Sequence, residues 1–97
     1  MIDLNITASL CAENAKKRGK VGYDVLHWQT AGGISEELME FIKAEESKPS
    51  EHIPEYTEAE EELADILIAC LTELSRRNVD VERIITMKME FNEQRNV

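Results

Sequence analysis

Four carboxylates stand out by their spacing. Residues 36–44 read EELMEFIKA and residues 61–69 read EELADILIA, so the pattern Glu-Glu-Leu-x-acid-apolar-apolar-x-Ala is written twice. Each copy supplies acids at i and i+3: Glu37 with Glu40, and Glu62 with Asp65. On a helix advancing about 100° per residue, such a pair lies one turn apart on one side. The same wheel places a stripe of Leu38, Phe41 and Ile42 beside the first pair and one of Leu63, Ile66 and Leu67 beside the second. Ala44 and Ala69 extend the acidic bands without adding bulk.

The chemistry that four such groups can do follows from their lack of partners. A structural carboxylate on a helix is commonly met by Lys or Arg four residues on. Here those positions hold Phe41, Ala44, Ile66 and Ala69, and the one nearby base is Lys43, three residues after Glu40. If the two helices pack antiparallel through their apolar stripes, the four acids converge beside the core, where unneutralised charges repel and resist desolvation. A divalent cation resolves that conflict. An all-oxygen donor set selects a hard ion, Mg²⁺, with Mn²⁺ as the alternative. The bland reading is two solvated acidic helix faces, against which stands the shared register of both copies beside an apolar stripe.

Basic residues appear at a complementary place. Val81, Ile84 and Ile85 begin an apolar stripe that, continued by helical spacing, reaches Lys88, Phe91, Asn92 and Arg95. Positions expected to be buried thus turn polar and basic, and inward-directed polar groups need a partner. Lys88, Asn92 and Arg95 can lie along one polyphosphate; the alternative is that Lys88 and Arg95 pair with acids of other helices.

The elements that must position these groups are helices. Glycine and proline mark the breaks: Gly19 and Gly22, then Gly32 and Gly33, then Pro49 and Pro54. The pattern predicts helices over about 5–18, 35–46, 57–77 and from after Asp80 to about Arg95. Thr57 and Glu60 have capping-box spacing, and Asp80 suits an N-cap. No alternating strand pattern occurs. The expectation is one all-α domain over residues 1–97, a four-helix bundle. In the third helix Ala64, Ile68 and Leu71 widen the apolar arc beyond the roughly 100° of a surface helix, so a homo-oligomer is expected to cover it.

Composition excludes other classes. The 20 acids and 11 bases give a formal charge of −9, which disfavours nucleic-acid polymers and anionic membranes. No segment approaches the roughly 18 apolar residues of a membrane span, and MIDLNITASL does not read as a signal peptide. Cys11 and Cys70 fit no metal-ligand spacing, consistent with reduced thiols in a cytoplasmic protein.

Together, EELME (36–40), ELAD (62–65) and KMEFNEQR (88–95) resemble the EExxE, ExxD and KxxxNxxR motifs of MazG-like nucleotide pyrophosphohydrolases, in that family's order, over about residues 33–95. The resemblance implies a Mg²⁺-dependent, all-α homodimer or homotetramer. It also implies hydrolysis of a nucleoside triphosphate, often a surplus or non-standard dNTP, to the monophosphate and pyrophosphate. Glu37, Glu40, Glu62 and Asp65 match the family's metal ligands. Lys88, Asn92 and Arg95 match its phosphate-side motif, and Glu36 matches the first acid of EExxE, a group that can orient water. For the base, Trp28 with His27 beside it offers a stacking platform, although filling the core is the commoner use of a tryptophan. His52, in the loop SKPSEHIPEY, is expected to be exposed. Two rivals remain. A di-iron carboxylate bundle needs Glu-x-x-His pairs, which are absent. A non-catalytic acidic interaction module accounts for the charge but not for Lys88 and Asn92.

Overall fold

The computed structural model describes residues 2–19 and 26–95. Those residues form four helices and no strand: α1 (Leu4–Lys17), α2 (His27–Lys43), α3 (Glu58–Arg76) and α4 (Val81–Gln94). None is long and apolar enough to cross a membrane. Gly22, read as a break after the first helix, lies outside the described residues.

Local chemistry sets most of the ends. Asp3 caps α1 by accepting from the N–H groups of Asn5 and Ile6. Thr57 and Glu60 form the expected capping box at α3, each side chain accepting from the other's backbone N–H (3.1 and 2.9 Å). Asp80 caps α4 by accepting from Arg83 N–H. Asn78, with φ 59°, ends α3. Its N–H reaches Ser75 O and that of Val79 reaches Leu74 O, the paired bonds of a Schellman motif.

The second helix departs from expectation. It starts at His27 rather than near Ser35, and runs through Gly32 and Gly33. Gln29 Oε1 accepts from Leu26 N–H at 2.9 Å and so closes the first turn. A glycine inside a helix costs about 1 kcal/mol relative to alanine, a penalty that a helix of this length absorbs. The helix also stops earlier than expected, at Lys43, because the backbone turns extended at Ala44.

The chain divides into two compact units. One comprises the chain up to residue 21 and from Leu71 onward; the other comprises residues 22–70. In the first, α1 and α4 pack together. Its core is Ala8, Leu71 and Val81, with Leu4, Cys11, Leu74 and Ile85 against it. Asn5 joins the starts of the two helices: its Oδ1 accepts from Val81 N–H at 2.7 Å and its Nδ2 donates to Asp80 Oδ1 at 3.1 Å. Both cysteines are free and half-buried, in keeping with use as small hydrophobes.

In the second unit the C-terminal end of α2 lies antiparallel to the start of α3, with Glu45 N–H donating to Glu58 Oε1. The face that α2 buries is not the one its leucine stripe suggests. Its half-buried residues are Thr30, Ile34, Glu37 and Phe41, while Leu38 and Ile42 are exposed. On α3, Ala59 is buried and Glu62, Asp65, Ile66 and Ala69 are half-buried, while Leu63 and Leu67 are exposed. The acid-bearing arcs are therefore the half-buried ones, and the leucine rows lie outside them.

Asn5→Ala removes the acceptor of a part-buried N–H and should lower stability by about 1–3 kcal/mol. Urea unfolding checks this; an unchanged midpoint would contradict the role given to Asn5.

Candidate metal centre and its surroundings

The α2–α3 seam brings three of the expected acids together. Glu37, Glu62 and Asp65 each present a carboxylate oxygen within 4.8 Å of the others, and all three are half-buried. Their approach follows from the helix period. Glu62 and Asp65 are one turn apart on α3, and Glu37 is the residue of the half-buried α2 row that meets them. Burial first, and then the negative charges of Asp65, Glu61, Glu37 and Glu40, push the Glu62 carboxyl above its ordinary value. Such a trio can hold one hard cation, whose oxygen ligands stand about 2.0–2.1 Å from it in the case of Mg²⁺.

Glu40 is exposed and outside the trio, although its charge acts on Glu62. With Glu62 it lines a cavity of about 200 Å³, together with Lys43, Ala44, Glu51, His52, Glu58 and Glu61. Lys43 makes no ion pair with Glu40 among the described residues. Glu36 is exposed and apart from the trio.

The remaining expected residues are placed differently. Trp28 and His27 stand in the first turn of α2 rather than in a loop before it, and both are exposed. Trp28, at 67% exposure, fills no core. Lys88, Asn92 and Arg95 belong to the first unit and are exposed, which corrects the expectation that they point inward. The core of that unit takes only Val81 and Ile85 from α4, so the later turns pass beyond it. Lys88 Nζ lies 4.7 Å and the Arg95 guanidinium 5.7 Å from the Phe91 ring centroid, within cation–π range. Neither cation makes an ion pair with an acid among the described residues.

One constellation was not anticipated. The segment between α2 and α3 is tied to the first turns of α3. Glu58 N–H donates to Lys48 O at 2.8 Å and Ala59 N–H to Glu45 O at 3.3 Å, while Lys48 Nζ sits 3.5 Å from Glu58 Oε2. Ser50 is buried at the centre of this segment. Its Oγ accepts from the N–H groups of His52 (3.1 Å) and Ile53 (3.2 Å) and donates to Glu61 Oε1. The other oxygen of Glu61 accepts from His52 Nδ1 at 2.9 Å. The sequence signal was the turn chemistry of Pro49-Ser50, since a serine after proline readily accepts from N–H groups two and three residues on. Nothing local identified Glu61 as the distant partner.

The Glu61 hydrogen bond, and then its charge, raise the His52 pKa above the ordinary 6.5. The Ser50 hydrogen bond, and then that of His52, lower Glu61 below the ordinary 4.5. The histidine contribution to stability is therefore full below pH 6.5 and fades as pH rises through the folded value. The glutamate contribution is present above pH 4.5 and is lost as pH falls through its folded value.

Comparison with protein-family models, with curated proteins and with solved structures gave no match.

An NMR titration of the His52 ring should show a midpoint above 6.5, and Glu61→Gln should return it toward 6.5. Identical midpoints in the two proteins would remove Glu61 as the cause.

Proposed function

We propose that this chain is a Mg²⁺-dependent nucleoside triphosphate pyrophosphohydrolase that converts a nucleotide, in the manner of nucleotide-pool house-cleaning, to its monophosphate and pyrophosphate. The observation that carries the reading is the half-buried trio Glu37, Glu62 and Asp65, none of which makes an ion pair among the described residues. Burial, and then the neighbouring carboxylates, raise the cost of ionising Glu62. A hard divalent ion offsets that cost, and the donor set is all oxygen. The motif resemblance of residues 36–40, 62–65 and 88–95 points the same way.

Glu37, Glu62 and Asp65 hold the ion in this reading, and Glu40 completes the acidic rim. When bound, Mg²⁺ polarises phosphoryl oxygens and offsets charge that builds in the transition state. Lys88, Asn92 and Arg95 bind phosphate oxygens through charge-assisted and amide hydrogen bonds. Glu36, exposed and free to move, orients the attacking water. Trp28, presented outward with His27 beside it, offers a face on which a base stacks.

We take the working form to be a homodimer or homotetramer. Leu38 and Ile42 on α2, with Leu63 and Leu67 on α3, form apolar rows that the single chain leaves exposed, and contiguous exposed apolar surface marks an interaction face. The same rows are what favours the second reading, a non-catalytic interaction module.

Incubation with a panel of dNTPs and Mg²⁺ separates the two. The enzyme releases monophosphate and pyrophosphate, and Glu62→Gln lowers kcat/KM by about 100-fold or more. A folded wild-type protein that turns over no nucleotide contradicts the proposal in favour of the module. Melting without metal adds a sign. The raised carboxyl of Glu62 means that its ionised form costs more in the folded than in the unfolded chain, so metal-free Glu62→Gln should melt higher than wild type. Added Mg²⁺ should then raise the melting temperature of wild type and not of the variant. The opposite order would deny that the trio is both strained and metal-binding.

A further inference from the structure

We propose that Lys43 and His52 form a phosphate-binding arm of the cavity beside the acidic trio, holding the phosphate chain of a metal-bound nucleotide. This rests on the functional reading above and adds to it residues that the motif resemblance does not contain. The cavity shares Glu62 with the trio. Its volume, about 200 Å³, equals roughly six or seven waters at ~30 Å³ each and falls below the ~300–1,000 Å³ of pockets that enclose drug-sized ligands. It suits a short run of phosphoryl groups rather than a nucleoside.

The lining looks hostile to an anion until its partners are traced. Glu58 pairs with Lys48 and accepts from Glu45 N–H. Glu61 is occupied on both oxygens, by Ser50 and by His52. Glu62 belongs to the trio that takes the cation. Glu40 and Glu51 have no such partners among the described residues. Against them stand two groups that have no acceptor among the described residues: the Lys43 ammonium and, when the ring is protonated, the His52 Nε2–H.

The placement of His52 is built rather than incidental. Connections as long as residues 44–57 without regular structure are uncommon unless they are functional or disordered, and this one is pinned along its length to the start of α3. Buried Ser50 fixes the backbone at His52 and orients Glu61. Glu61 fixes the imidazole through Nδ1. The ring is thus held by one nitrogen while its side chain stays 80% exposed, which leaves Nε2 unengaged among the described residues and able to donate in the protonated ring. A carboxylate-oriented histidine with its second nitrogen presented is a recurrent arrangement where histidine acts on a bound group.

Calorimetry tests this without requiring turnover. Mn²⁺ is titrated first into wild type, His52→Gln and Lys43→Met, and then inorganic pyrophosphate is titrated at saturating Mn²⁺. The expectation is equal Mn²⁺ affinity within about twofold in all three proteins, with pyrophosphate bound about tenfold or more weakly in each variant. If wild type binds Mn²⁺ and pyrophosphate and both variants match it, the arm is refuted and the metal reading stands. If wild type binds Mn²⁺ but no pyrophosphate, the arm is likewise refuted. If wild type binds no Mn²⁺, both readings fall. His52→Gln gives up only the exposed pair with Glu61 and should melt slightly below wild type; if it melts far lower, Lys43→Met decides the matter alone.

Discussion

The cost of ionising a half-buried Glu62 beside the carboxylates of Asp65 and Glu37 is the constraint on which the account of the second unit depends. Glu37, Glu62 and Asp65 occupy positions that a stable helix pair ordinarily gives to apolar side chains. Ile34, Phe41, Ile66 and the alanines supply the rest of the seam, which is a thin apolar lining for three charges. Partnered charges in such a place are tolerable, whereas unpartnered ones are destabilising by desolvation and by each other. The proposal of a bound cation is the direct answer to that imbalance. The clasp of Ser50, His52 and Glu61 beside it shows a different solution, in which each carboxylate oxygen is met by a hydrogen-bond donor.

Much of the architecture was legible because its causes are local. The capping box at Thr57 and Glu60, the Asp80 cap and the period of the apolar residues gave α3 and α4 within a residue or so. The start of α2 was not legible, because Gly32 and Gly33 read as a break and the Gln29 bond that nucleates the helix earlier is a weak signal. Of the four acids expected to converge, Glu37, Glu62 and Asp65 lie together and Glu40 stands outside them, and the phase of the seam was misread. A helical wheel gives the period and the relative angle of two stripes. It does not say which stripe meets the neighbouring helix, and here the richer leucine stripe is the one left outside. The Ser50–Glu61–His52 clasp joins residues on a loop and a helix whose relation depends on the whole connection, so spacing alone could not reveal it.

That misreading gives the exposed leucine rows their meaning. An acidic chain keeps Leu38, Ile42, Leu63 and Leu67 at the surface at a cost in solvation, and on the proposed reading a second copy recovers it. The basic turn of α4 has a related character. Lys88 and Arg95 lie against Phe91 and make no ion pair among the described residues.

Anomalous scattering from crystals soaked in Mn²⁺ addresses the central claim most directly. The account predicts a single strong peak bonded to oxygens of Glu37, Glu62 and Asp65. A map with no peak at that seam, or with the ion held by another set of carboxylates while these three stay apart, would contradict it.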